Sequence, residues 1–271
     1  MWHTAEACLY HVDIKGRQLI RTDIDNGDQQ IWDMPGFPGS IAALASAGVL
    51  VALPNGIFVF DPKTERLRLW QAVDFLPPGW RFNDATVDPN GRWFIGTCRH
   101  DPPRPHADGA LWVIDSCGPP RKLVHGFRLL NGLAFSASGR TLHLSDSSPE
   151  TQQVWRYAYD PETGDLGAHQ LVLDMRLIDG RPDGAAFDAD GNYWLAAVGS
   201  GDLIKLSPDG ERLSRVSVGT ALVTKPAFVG SRLDRLIVTT AGSSGIDLLG
   251  GGLIELAADA IGLPIPAIVA S

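Results

Sequence analysis

Three polar residues recur at one place in a repeating pattern. Asn83 opens NDATVDPNGRWFIGT, Asn131 opens NGLAFSASGRTLHLSD and Asp183 opens DGAAFDADGNYWLAA. Each segment runs from a polar residue through a small one into an apolar strand, a D/S-x-x-G type of turn and a second aromatic or branched strand. The three openings lie 48 and 52 residues apart. Two carboxamides and a carboxylate, with no Cys or His among them, make an oxygen-donor set suited to hard cations such as Ca²⁺, Mg²⁺ or Mn²⁺. Asn-Gly and Asp-Gly are also ordinary turn formers. A turn preference does not account for one residue class at one repeat position ahead of three apolar strands.

Other groups could assist such a site. Arg81, two residues before Asn83, can offer a planar guanidinium fork to a polyol or a carboxylate. CRHDPPRPHADG, residues 98–109, is a polar, proline-rich stretch between strand runs, suited to a loop over a binding mouth. Its His100 and His106 have no third ligand nearby in sequence and read as exposed loop histidines. His11, His125 and His143 fall in or beside strand runs and read as packing residues. There is no G-x-S-x-G elbow, P-loop, H-E-x-x-H or strand-linked dinucleotide fingerprint.

The elements that must position these residues are short and extended. Gly and Pro number 30 and 19 of 271 residues, and helical periodicity is nearly absent. Runs such as RWFIGT, ALWVID, TLHLSD, NYWLAA and RLIVTT are each bounded by Gly, Pro, Asp or Asn, the signature of strands and hairpins. Weaker copies of the repeat begin near Ser40 and Lys225, and an incomplete sixth occupies Trp2 to Trp32. A period of about 40–50 residues with four short strands each marks a β-propeller. The expected fold is all-β, a six-bladed propeller of four-stranded blades forming a single domain over residues 1–271. Its first blade is expected to be incomplete at the N-terminus, with the innermost strand reduced to two residues. In such a ring the inner strands line a channel, so Asn83, Asn131 and Asp183 are expected at one mouth. The WD and GH signatures of interaction-platform propellers are missing.

Composition removes other classes. A net charge of −8 leaves no basic face for phosphates, which argues against nucleic-acid and anionic-membrane partners. Cys8, Cys98 and Cys117 are odd in number and form no C-x-x-C, so neither a disulfide scaffold nor a structural zinc site is expected. No run approaches the roughly 18 apolar residues of a membrane span. The opening MWHTAEACLYHVDIKG lacks the basic and apolar regions of a signal peptide, which points to the cytoplasm. Oligomeric state is left open.

In RFNDATVDPNGRWFIGT, LLNGLAFSASGRTLHLSDS, GRPDGAAFDADGNYWLA and the terminal GGLIEL and GLP, the chain resembles the senescence-marker-protein, gluconolactonase and luciferin-regenerating-enzyme family. The regucalcin-like pattern runs in order over essentially the whole chain, and the four motifs are specific as a set. The resemblance implies a six-bladed propeller and metal-dependent hydrolysis of sugar lactones, with one divalent cation (Ca, Mg, Mn or Zn) as cofactor. It implies Asn131 and Asp183 as metal ligands, with Asp183 also the general base. Arg81 and Asn83 match substrate-facing positions, Asn83 also touching the metal through water. Asp101 matches an acidic substrate contact in the 98–109 loop.

Two departures qualify this match. Ala85 replaces the glycine of the family motif R-x-N-D-G. The family's first inner strand reads G-E-x-P-x-W with a metal-binding glutamate; Trp2 matches the tryptophan, Met1 precedes it, and the glutamate is absent. Glu6 lies beyond that strand, in the following turn. With one anionic ligand of two missing, weaker metal binding and impaired turnover are expected of this chain as it stands. Two other readings stay open: a non-catalytic propeller that binds a metal or small ligand, and an esterase or phosphotriesterase using the same residues.

Overall fold

A computed structural model describes residues 1–100, 107–116, 118–242 and 250–270. Each apolar run pairs antiparallel with the next run in sequence, because the turns between them are too short for any other connection. Six up-and-down sheets result, and the fold is a six-bladed β-propeller. Blade 1 holds Trp2–His3, Cys8–Asp13, Gln18–Thr22 and Gln29–Asp33. Blade 2 holds Ser40–Ala43, Val49–Leu53, Gly56–Asp61 and Arg66–Ala72. Blade 3 holds Trp80–Val87, Trp93–Arg99, Gly109–Ile114 and Arg121–Phe127. Blade 4 holds Leu130–Phe135, Thr141–Asp146, Gln153–Asp160 and Asp165–Asp174, and blade 5 Arg181–Phe187, Tyr193–Val198, Asp202–Leu206 and Arg212–Ser217. Blade 6 has three strands among the described residues, Val223–Val229, Arg235–Thr240 and Leu253–Leu256, where four were expected. The first strand of blade 1 is two residues long, as its sequence implies.

The blades fall into two compact units. The first contains Met1–Leu129 with the stretch from Ile265, and thus blades 1–3; the second contains Leu130–Pro264, and thus blades 4–6. In the first unit Tyr10, Leu19, Val51 and Phe60 fill one layer, and Leu50, Ile57, Phe82, Trp93 and Ile95 fill the next. Each such side chain removed from water stabilises the fold by about 1.5–3 kcal/mol. The stretch from Ile265 is stitched to blade 2, where the Ile268 N–H donates to the Ala43 carbonyl at 2.8 Å. In the second unit Ala134, Val154, Tyr193, Leu195 and Ile204 form one cluster, and Trp194, Leu203, Val223, Leu236 and Val238 another. The first strands of blades 4, 5 and 6 pack on one another in turn, so they are the inner strands of that unit.

The D/S-x-x-G turns reverse the chain as their composition requires. Gly91, Gly139 and Gly191 stand at φ +81°, +64° and +84°, where a side chain would be strained. The leading aspartate of two of these turns is buried and fully engaged. Asp188 accepts from the Asn192 backbone (2.8 Å), the Asn192 carboxamide (2.9 and 3.0 Å), Trp194 Nε1 (2.9 Å) and, as an ion pair, Lys205 Nζ (3.3 Å). The one helical piece among the described residues is a single 3-10 turn, Met175–Leu177, capped by Asp174. No described helix is long and apolar enough to cross a membrane.

Candidate functional site

Asn83, Asn131 and Asp183 share a backbone feature. Each lies on the first strand of its blade beside a break in register with the second strand, Asn83 and Asp183 within the unpaired step and Asn131 paired with Ser145 at its edge. The breaks fall between the pairs Phe82–Thr97 and Ala85–Ile95, Asn131–Ser145 and Ala134–His143, and Pro182–Ala197 and Ala185–Leu195. A β-bulge of this kind releases a residue from strict alternation and re-aims its side chain. Blade 2 pairs its first two strands without a break, whereas blade 6, which also has no candidate residue, has one between Val223 and Lys225.

In the first unit Arg81 and Asn83 form a pair. Arg81 Nη1 donates to Asn83 Oδ1 at 2.5 Å and to the Phe82 carbonyl at 2.9 Å. Asn83 is buried and Arg81 half-buried. The guanidinium therefore occupies the oxygen side of the Asn83 carboxamide. Cys98, opposite Arg81 across the ladder, is buried and in no disulfide, and burial pushes its thiol pKa up. Cys8 is likewise buried and in no disulfide, its Sγ accepting from Arg21 Nε at 3.2 Å, while Cys117 lies outside the described residues.

The second unit brings together the segments carrying Asn131 and Asp183. The Asn131 carboxamide donates from Nδ2 to Ser147 Oγ at 2.5 Å, and that hydroxyl donates to the carbonyl of Pro182, the residue before Asp183. Gly132, at φ +65°, makes the approach possible. A Cβ there would lie 2.5 Å from the Tyr193 hydroxyl, 2.9 Å from Ser145 Oγ and 3.3 Å from the Asp183 carbonyl. Tyr193 Oη donates to the Gly132 carbonyl at 2.6 Å, pinning the Gly132–Leu133 peptide. Behind Asp183, Gly184 lies so close to blade 6 that a Cβ would meet Lys225 Cγ at 2.6 Å.

The donor chemistry suits a hard cation. Asn131 and Asp183 bring a carboxamide and a carboxylate, both oxygen-bearing groups, and the Asn131 nitrogen donates to Ser147. Among the described residues no three His, Cys, Asp or Glu side chains gather as a metal group. The expected set contains one carboxylate only, its other members being carboxamides.

Two expectations are corrected. His100 is not an exposed loop residue: it is half-buried and stacks on Phe37 with ring centroids 3.6 Å apart. His125 is exposed on its strand, while His143 is the buried packing residue expected. Asp101, His106 and the rest of 101–106 lie outside the described residues. Glu6 stands in the turn after Trp2–His3 and is committed elsewhere, accepting from the Gly48 N–H at 2.6 Å and from Tyr10 Oη at 2.7 Å.

Sequence reasoning passed over Ser147, Tyr193 and Arg181. Arg181 precedes Asp183 by two residues, as Arg81 precedes Asn83. It lines a cleft of about 580 Å³ with Gln152, Asp179, Ser200 and Arg215. Extending the repeat alignment upstream by two residues would have found it.

Comparison with known proteins gives a consistent picture. The sequence model of the SMP-30/Gluconolactonase/LRE-like region matches residues 1–242. The pentonolactonase of Haloferax volcanii is 33% identical over 260 residues, covering 93% of this chain and 84% of that protein. The 6-deoxy-6-sulfogluconolactonase of Pseudomonas putida is 34% identical over 245 residues, covering 89% and 81%. Among solved structures, the calcium-binding protein regucalcin from Agrobacterium tumefaciens superposes with a TM-score of 0.91 at 27% identity, covering 98% of this chain and 91% of that one.

Proposed function

Since this chain belongs to the SMP-30/Gluconolactonase/LRE-like family, we propose that it hydrolyses a sugar lactone with one divalent cation, Asp183 serving as general base. The observation that carries the reading is the linkage of the Asn131 side chain to the peptide entering Asp183, on two bulged inner strands. Names borne by relatives, pentonolactonase and 6-deoxy-6-sulfogluconolactonase, support a lactone as substrate. Regucalcin's description as a calcium-binding protein supports a divalent cation.

Asn131 and Asp183 would hold the cation, which when bound polarises the lactone carbonyl and acidifies the attacking water. Asp183 accepts the proton of that water through its carboxylate. The Asn131 carboxamide donates to Ser147 through nitrogen, and the Asn83 carboxamide accepts from Arg81 through oxygen. Arg81, Asn83 and Asp101 are assigned to orienting the ring hydroxyls. A site with one carboxylate leaves a divalent ion with net charge +1, so weaker metal binding is expected than in a site with two.

The test is a substrate panel followed by pH-stat with Mn²⁺, Zn²⁺, Mg²⁺ or Ca²⁺ added in turn. Aldono-γ-lactones are expected to be opened faster than aryl esters or phosphotriesters. Preference for either of the latter would overturn the lactonase reading.

A further inference from the structure

We infer that Arg181 is a specificity-determining residue that binds an anionic oxygen group, such as a phosphate or carboxylate, carried by the sugar lactone away from its carbonyl. The inference rests on the lactonase reading and goes beyond it by naming the charge of the substrate and the side chain that meets it.

Arg181 opens the inner strand of blade 5, two residues before Asp183. It pairs with Val198, the last residue of the second strand, so the turn that begins at Gly199 lies at the same end of the blade. In blade 4 Asn131 pairs with Ser145, and Gln152 lies in the turn after that second strand. The cleft of about 580 Å³ lined by Gln152, Arg181, Ser200 and Arg215 is therefore at the ends of blades 4 and 5 that carry Asn131 and Asp183. Its volume falls within the range of small-molecule sites, about 300–1,000 Å³. Two residues of extended chain span about 7 Å, a separation that a sugar ring with a substituent bridges.

The charges in this cleft do not balance. Arg215 is matched, because its Nε and Nη2 both lie on Asp202 Oδ2, at 2.6 and 2.5 Å. Asp179 is 88% exposed, with its Oδ2 4.0 Å from Arg215 Nη1. The half-buried Arg181 guanidinium has no hydrogen-bond or ion-pair partner among the described residues. Its equivalent in blade 3 is engaged, Arg81 Nη1 donating to Asn83 Oδ1 and to the Phe82 carbonyl. A partly desolvated charge without a partner is costly, and an anion offsets that cost. A guanidinium takes a phosphate or carboxylate in a two-pronged fork. The rest of the cleft suits hydroxyls: the Ser200 proton goes to the Ala197 carbonyl, so its Oγ offers a lone pair to a sugar hydroxyl. Gln152 stands at φ +47°, a conformation uncommon outside glycine, and strained positions of this kind gather at binding sites.

The experiment measures binding to the full chain by titration calorimetry in EDTA, because phosphate also ligates divalent cations. Three probes are used: an anhydrohexitol (the lactone ring without its carbonyl, and so not hydrolysed), the same ring with a terminal phosphate, and inorganic phosphate. In the parent the phosphorylated ring is expected to bind about 10- to 100-fold tighter than the neutral one, and added salt narrows that ratio. Arg181→Gln is expected to bring the ratio to within about threefold of one. Arg181→Lys, which keeps the charge and loses the fork, falls between, and serves if the glutamine variant does not fold by circular dichroism. Equal binding of the two rings by the parent, binding of neither, or an unchanged ratio in folded Arg181→Gln overturns the proposal. Inorganic phosphate bound as tightly as the phosphorylated ring overturns it too, and leaves a site for a free anion. Opening of aldonolactones with and without the terminal phosphate is followed alongside, with Mn²⁺ present. If no lactone is opened while an Arg181-dependent ratio is found, the lactonase reading falls and the site stands as one for an anionic sugar. If lactones are opened with no preference that depends on Arg181, the proposal alone falls.

Discussion

His143 lies on the second strand of blade 4, 7% exposed, with its ring 5.0 Å from those of Phe187 and Tyr193. Its Nδ1 is buried without a hydrogen-bond partner among the described residues. Burial, helped by the nearby Arg156 charge, pulls its pKa from 6.5 down to about 4. The unfolded chain therefore takes up this proton as pH falls through 6.5, while the folded chain refuses it until about 4. Stability must fall with pH inside that window. Linkage between those two values gives a loss of about 2 kcal/mol from pH 7 to about pH 5. His143→Phe keeps an aromatic ring among Phe187 and Tyr193 and removes the titration. Urea unfolding at the two pH values, for both proteins, isolates the effect, because any fixed cost of the substitution cancels in the difference. The parent should lose about 2 kcal/mol more than the variant over that interval. His11, also lowered to about 4 chiefly by burial, contributes a similar share that remains in both proteins. Equal pH dependence in parent and variant would refute the assignment of a buried, neutral His143.

Further outcomes follow from the same contacts. Gly132→Ala forces a Cβ to 2.5 Å from the Tyr193 hydroxyl at a positive φ and should cost about 2 kcal/mol or more in urea unfolding. Tyr193→Phe leaves the Gly132 carbonyl without its 2.6 Å donor; a loss of about 1–3 kcal/mol is expected. Glu6→Gln exchanges an accepting oxygen for a donor between Gly48 and Tyr10, which should lower the melting temperature and leave Mn²⁺ affinity unchanged. Burial raises the Asp188 pKa, but the Trp194, Asn192 and Lys205 donors outweigh it and hold it below 3.8. Its contribution is therefore complete above that ordinary value and lost as pH falls through the lower folded one; Asp188→Asn should flatten the acid limb of a stability profile.

Much of this architecture was legible in the residues. The repeat alignment placed Asn83, Asn131 and Asp183 at equivalent points, and all three lie on the first strands of their blades. Strand runs and turn glycines are local signals, so they read directly. The register breaks did not, because a bulge is a property of two paired strands and not of either sequence alone. Ser147 was passed over for a similar reason: its partners lie 16 and 35 residues away on two blades, and a lone serine after SD has no distinguishing pattern. The misreading of His100 has the same origin, since Phe37 comes from the link between blades 1 and 2. Arg181 differs. It stands two residues before Asp183, as Arg81 stands before Asn83, just outside the aligned segments, which open at Asn83, Asn131 and Asp183.

The central claim is that Asp183 and a divalent cation act together on a lactone. Its most direct test is the rate of acid release from one aldono-γ-lactone by the parent and by Asp183→Asn, each with EDTA and with Mn²⁺ raised to millimolar levels. The account predicts turnover in the parent that rises with Mn²⁺, vanishes with EDTA and is absent from Asp183→Asn at every metal concentration. Turnover indifferent to EDTA or to the substitution contradicts it. Acid release no faster than spontaneous opening, at any metal concentration, contradicts it as well and leaves a ligand-binding propeller in its place.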